Sequence, residues 1–179
     1  WDGKNVDHQL FGQNLFPDKG LDSNEDTLVI YEGELDAASG WQAVNRLAHV
    51  SVPNGAKGAK KALQKQLELT QGYSKIVLFF DNDQEGINAT EECAQLFSPG
   101  KIFIARMEKY KDASEALQHG EPTAIRNAIR CAKTYRPNGI VDAKSLLELI
   151  TTPEPPCAHE YPFKGLNQKL HGIRYGELT

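Results

Sequence analysis

The chain has 179 residues, which suits one domain of common size with an appendage and not two full domains. With 40% hydrophobic and 25% charged residues and a net charge of −4, it reads as an ordinary soluble globular protein and not as a globally basic nucleic-acid binder, although a local basic groove stays open. No apolar run reaches the ~18 residues of a membrane span, "WDGKNVDHQL" lacks the basic and apolar parts of a secretory signal, and Cys93, Cys131 and Cys157 form neither a disulfide framework nor a zinc set.

In chain order, residues 1–26 are rich in Gly, Asn and Asp, with Leu10, Phe11, Leu15 and Phe16 as anchors, and read as an irregular lead-in. "TLVIYE" (27–32) is a continuous apolar run of strand length, of the kind buried on both faces. "ELDAASGWQAVNRLA" (34–48) carries Leu35, Ala38, Trp41, Val44 and Leu47 or Ala48 at helical spacing. "HVSV" (49–52) is a short strand, and "PNGAKGAK" a Gly-rich loop leading into the helix "KKALQKQLEL". "KIVLFF" (75–80) is a strand, "QEGINATEECAQLF" (84–97) a helix and "KIFIAR" (101–106) a fourth strand. A helix follows near 122–134, then a Pro-rich linker with the short amphipathic "AKSLLELI", whose stripe is Leu146, Leu147 and Ile150. Strand and helix alternate, which predicts an α/β fold: a mostly parallel four-stranded sheet flanked by helices, followed by a linker with a short helix.

In such a sheet, ligands bind at the carboxyl ends of the strands. Glu32 ends the first strand, Asp81 and Asp83 follow the third in "FFDNDQEG", and Asp112 and Glu115 follow the fourth in "KDASEAL". Acids from three loops therefore meet at one sheet edge, and hard oxygen ligands of this kind suit Mg²⁺ or Mn²⁺. Residues i and i+2 of an extended segment point the same way, so Asp81 and Asp83 can share an ion. Asp83 also stands where an N-cap of the next helix would stand. Glu34 and Asp36 lie in a first helical turn and complement its dipole; Asp36, one turn from Glu32, can also face the site, whereas Glu34 reads as structural. Lys57, Lys60 and Lys61 of "NGAKGAKK" are candidates for triphosphate or template contact, with a solvated helix face as the plainer explanation. His8 and His49 stand alone and receive no role.

"EGELDA", "FFDNDQEGINA" and "KDASEAL", each after a strand, resemble the Toprim signature, in the wording of phage-type bifunctional primase–helicases and their mitochondrial relatives. "LFGQNLF", "PNGAKGAKKAL" and "GLNQKLHGIRYGELT" are similar to that group as well. The resemblance implies that Glu32 is the Toprim glutamate, Asp81 and Asp83 the metal-binding pair and Asp112 the further acid. It implies RNA primer synthesis from ribonucleoside triphosphates on single-stranded DNA by Mg-dependent nucleotidyl transfer, with Glu32 as ligand or general base. The organisation it implies is a lead-in from an N-terminal polymerase subdomain (1–26), the Toprim catalytic domain (27–135), a linker (136–163) and the start of a RecA-like helicase domain (164–179). The linker helix would dock on a neighbouring subunit of a hexamer.

No "GxxxxGK[ST]" occurs, so this chain does not hydrolyse nucleotide by that route. The missing initiator Met suggests a piece of a longer protein, and the cysteine usage suggests a reducing, intracellular setting: the host cytoplasm for a phage protein, the mitochondrion for a eukaryotic relative. Two rivals remain. One is a Toprim nuclease or topoisomerase, for which Tyr31, inside a strand, is a poor nucleophile. The other is a non-catalytic Toprim scaffold or DNA-binding module of a replicative helicase.

Overall fold

The computed structural model describes residues 9–16, 26–98, 100–137, 146–147, 150–151, 159–170 and 172–173. The chain divides into two compact units, Trp1–Asn138 and Gly139–Thr179. In the first, five strands form one sheet in the order β2-β1-β3-β4-β5: β1 (Thr27–Tyr31), β2 (Ala48–Ser51), β3 (Lys75–Phe79), β4 (Ile102–Ile104) and β5 (Lys133–Thr134). The first four are parallel, and β5 runs antiparallel to β4.

The continuous apolar runs are explained by position. β1 and β3 are the central strands, and helices cover both faces, so Leu28, Val29, Ile30, Ile76, Val77 and Leu78 are all fully buried. Each such side chain contributes about 1.5–3 kcal/mol relative to exposure. Alternation divides them between two cores. Leu28, Ile30, Ile76 and Leu78 pack with Ala59, Leu63 and Cys93 of α2 (Gly55–Lys65) and α4 (Gln84–Ala94). Val29, Tyr31, Val77 and Phe79 pack with residues of α1 (Glu34–Ala43), α5 (Ala113–Gln118) and α6 (Pro122–Arg130), such as Ala37, Ala116 and Ile125. α3 (Leu67–Gln71) continues from α2.

Several elements differ from the sequence expectation. The sheet has a fifth strand because the helix expected over 122–134 ends at Arg130, and Lys133–Thr134 then pair with Phe103 and Ile104. α1 ends at Ala43, where the chain turns back; Arg126 Nε donates to Ala43 O at 2.8 Å and closes that end. Its inward face is Asp36, Ala37, Ser39, Gly40 and Ala43, while Leu35 (72%) and Trp41 (52%) are exposed. Close approach decides this: a Cβ at Gly40 would lie 1.9 Å from Tyr31 Oη, so only small residues fit against the sheet. α2 begins at Gly55, inside the expected Gly-rich loop. In the lead-in, Leu10 is buried and Phe16 packs on the core, but Phe11 and Leu15 are exposed, and Phe11 bridges to the β2 edge at Ser51. His8 lies outside the described residues.

Described residues of the second unit include a helix over Lys164–Leu170 and an antiparallel bridge between His159 and Ile173. Leu146, Leu147 and Ile150 are helical and exposed. Most of the expected linker lies outside the described residues.

Candidate active site

The strand order reverses between β1 and β3: the chain leaves β1 for β2 on one side, then returns across to β3 on the other. The carboxyl ends of those two strands flank the switch-point crevice where ligands of open α/β sheets bind. Glu32 leaves β1 at this point, and Asp81 and Asp83 follow β3.

Glu32 faces the start of α2, and Oε1 accepts from Ala56 N at 3.1 Å. A carboxylate here satisfies one of the free amides of the first turn and complements the helix dipole. Its second oxygen, Oε2, is buried with no hydrogen-bond partner among the described residues. With only the Asp81 backbone amide turned toward the carboxylate besides Ala56, this oxygen keeps capacity for a proton or a cation. Burial and then the charge of Asp81 raise the Glu32 carboxyl above its usual range, against the opposing pull of the Ala56 and Asp81 backbone amides.

Asp83 has two partners. Oδ1 caps α4 by accepting from Gly86 N at 2.9 Å, and Oδ2 faces Lys111 Nζ at 3.2 Å. The Gly86 bond first, with Lys111 adding to it, holds this carboxyl below its ordinary value. Asp81 Oδ2 meets the same Lys111 Nζ at 2.9 Å. Two carboxylates thus converge on one cationic point. The backbone there is held by two residues that sequence reasoning passed over. Asn82 ties the loop after β3 to the loop after β4: its N–H donates to Lys111 O at 2.9 Å and its Nδ2 to Met107 O at 3.1 Å. Gly86 lets α4 start against Asp81, since a Cβ there would lie 2.2 Å from Asp81 O. Asn82 inside "DND" and Lys111 directly before Asp112 were the available signals.

Asp112 caps α5, accepting from Glu115 N at 2.7 Å, while Glu115 Oε2 accepts from Lys111 N at 2.7 Å, a reciprocal arrangement like a capping box. Asp36 is buried and accepts from Ser114 N at 2.8 Å. Burial foremost, with the charges of Asp112 and Asp81 adding, pushes its carboxyl up to about 6, although the Ser114 bond pulls the other way. Asp36, Asp112 and Lys111 line one open hollow of about 480 Å³ with Leu35 and the exposed Glu34.

The three candidate lysines lie elsewhere. Lys57 pairs with Glu85 of α4 at 3.5 Å, both exposed, and Lys60 lines a second hollow of about 320 Å³ with Lys57, Glu85 and Glu92. Lys61 is exposed on α2. Ala56 joins the two regions, since it bonds Glu32 and lines the second hollow. His49 is a core residue, within hydrogen-bond reach of Tyr31 Oη (3.1 Å) and Val44 O (2.7 Å).

Among the described residues, no three Asp, Glu, His or Cys side chains close into a ready metal shell. The residues nonetheless fit a hard divalent ion, because Mg²⁺ takes one or two carboxylates and completes its shell with water and phosphate. The Lys111 ammonium between Asp81 and Asp83 marks the cation position, and the orphaned Glu32 Oε2 supplies a further donor. No helix of the described residues is long and apolar enough to cross a membrane.

Residues 29–117 match the family model described as Toprim-like. The chain is 33% identical over 166 residues to the DNA helicase/primase of Enterobacteria phage T3, covering 90% of this chain and 29% of the relative. It is 28% identical over 187 residues to the chloroplastic/mitochondrial Twinkle homolog of Arabidopsis thaliana, covering 89% of this chain and 26% of that one. Among solved structures it resembles the primase domains of bacteriophage T7 bound to an RNA/DNA hybrid and dTTP together with the lagging-strand DNA polymerase. There the TM-score is 0.64 at 30% identity, over 74% of this chain and 65% of that one. The chain spans less than a third of the length of the curated relatives it matches. By sequence and by fold, then, this chain carries a Toprim-like domain over residues 29–117, similar to the one in the phage primase–helicases it matches.

Proposed function

We propose that this chain is the Toprim part of a DNA primase–helicase that synthesises RNA primers on single-stranded DNA from ribonucleoside triphosphates. The observation that carries the reading is the convergence of Asp81 Oδ2 and Asp83 Oδ2 on one cationic point at the switch-point crevice. The similar T7 primase domains are seen in a complex of a lagging-strand DNA polymerase with an RNA/DNA hybrid and dTTP, which supports a nucleic-acid ligand for this chain.

Asp81 and Asp83 would hold Mg²⁺ or Mn²⁺, with Asp112 and Asp36 as further acids on the side of α5. Bound there, the ion would lower the pKa of an attacking 3′-hydroxyl and neutralise charge on the leaving pyrophosphate. Glu32 Oε2 is poised to complete the ion's shell or to take the hydroxyl proton, its proton affinity already raised by burial and by Asp81. Asn82 and Gly86 keep the aspartate pair in register. Lys57 and Lys60, between α2 and α4, and Lys61 beside them are the proposed contacts for triphosphate or template phosphates.

The proposed organisation is the one the resemblance implies: polymerase lead-in over 1–26, Toprim domain 27–135, linker 136–163 and the helicase entry from 164. The exposed Leu146, Leu147 and Ile150 would dock on a neighbouring subunit of a hexamer. The setting would be intracellular, in an infected host or in an organelle.

One observation favours a second reading, a Toprim scaffold without catalysis: Asp83 and Asp112 both cap helices, a service a scaffold needs too. Ribonucleotide incorporation on single-stranded DNA by the protein that carries this chain separates the two. The primase reading expects oligoribonucleotides, and for Asp81→Asn/Asp83→Asn a loss beyond the ~10–100-fold that removing a supporting contact costs. Equal synthesis by parent and variant contradicts it.

A further inference from the structure

Lys111 is the cation nearest the proposed metal position, and its placement is over-determined. Its carbonyl accepts from Asn82 N at 2.9 Å and its N–H donates to Glu115 Oε2 at 2.7 Å, so the backbone is pinned on both sides. From that anchor the side chain spans to Asp81 Oδ2 (2.9 Å) and Asp83 Oδ2 (3.2 Å) while staying 53% exposed. The backbone is fixed and the ammonium is free to leave into solvent. Two carboxylates this close repel one another unless a cation lies between them, and the buried Glu32 Oε2 nearby adds to the unmet negative charge.

Resting on the metal reading above, we propose that Lys111 is a tethered counter-ion that exchanges with the divalent metal: the ammonium and the ion compete for the same two aspartate oxygens. Mg²⁺ or Mn²⁺ binds carboxylate oxygens at about 2.0–2.2 Å, so an ion shared by the two Oδ2 atoms takes the position between them that the ammonium holds. Like charges about 4 Å apart repel by about 1 kcal/mol even in bulk water, and more near a protein surface. Metal entry therefore expels the ammonium, and the pair Asp81/Asp83 stays gathered in either condition. Lys111 thereby weakens the affinity for free metal and keeps the carboxylates pre-positioned.

The test is Mn²⁺ binding to the 179-residue chain, with free ion counted by electron paramagnetic resonance, together with thermal melting in the absence of divalent ions. Lys111→Met is expected to bind Mn²⁺ about tenfold more tightly and to melt below the parent when no divalent ion is added. Lys111→Arg keeps a competing charge and is expected to stay within about twofold of the parent. Unchanged or weaker Mn²⁺ binding by Lys111→Met overturns the exchange, and if Asp81→Asn/Asp83→Asn still abolishes binding, the metal reading survives alone. Full Mn²⁺ affinity in that double variant overturns both.

Discussion

One oxygen of Asp83 caps α4 through Gly86 N while the other faces Lys111 at 3.2 Å, so a single side chain both starts a helix and carries the charge of the crevice. Both roles were readable in "DND", because an Asp after an apolar run and before a helix satisfies either. The supporting residues were not readable in the same way. What Asn82 and Lys111 do depends on the loop after β4 lying against the loop after β3, a pairing that no local pattern records. The three lysines of α2 were suggested by their spacing alone; the fold sets them apart from the aspartate pair and gives the amide of Ala56, at the start of their helix, to Glu32. At this scale the sharpest prediction concerns Gly86, whose absent Cβ leaves room for Asp81 O at 2.2 Å. Gly86→Ala should gain about 1 kcal/mol of helix propensity and lose more to overpacking, typically about 1–3 kcal/mol. It should shift the Asp81 backbone and weaken Mn²⁺ binding. Chemical denaturation and a metal titration check it; a more stable variant with unchanged metal affinity contradicts the positioning role.

Among the elements, β1 and β3 were legible because their continuous apolar runs suit strands buried on both faces, and they are the two central strands. α1 begins where the sequence places it but ends at Ala43, and its large apolar residues do not form the buried face. Its large residues Leu35 and Trp41 point outward because the side against the sheet must be small, with Gly40 beneath Tyr31 Oη. β5 escaped because two residues carry no periodicity and its edge position follows only from pairing with β4. The Tyr31–His49 contact that links β1 to β2 gives an element-scale prediction. Burial lowers the His49 ring to about 4, well under the ~6.5 of an unfolded histidine. Between those values the unfolded chain binds a proton that the folded one refuses, so stability rises with pH across the window and is flat above it. The full span is worth about 3 kcal/mol. Denaturation of the parent and of His49→Gln from pH 7 to pH 4 should show the variant less stable at pH 7 but with the shallower decline. Equal slopes contradict the assignment.

For the molecule as a whole, a net charge of −4 does not describe its chemistry, since the carboxylates that matter are collected at one sheet edge and partly balanced by Lys111. Strand order explains the collection. Because β1 and β3 are neighbours across a reversal, the residues that follow them must meet, whatever their separation in sequence. The chain order of elements made this much visible, and the cap by Asp83 with it; the cap by Asp112 and the shared contact with Lys111 required coordinates. The most direct test of the account is a nuclear magnetic resonance titration of the 179-residue chain with paramagnetic Mn²⁺, following amide signals residue by residue. The account predicts that Gly33, Asn82 and Asp112 broaden first, that Ile125 in α6 persists, and that Asp81→Asn/Asp83→Asn abolishes the early broadening. Broadening that begins at Glu92 in the hollow between α2 and α4, or none at all, would contradict it.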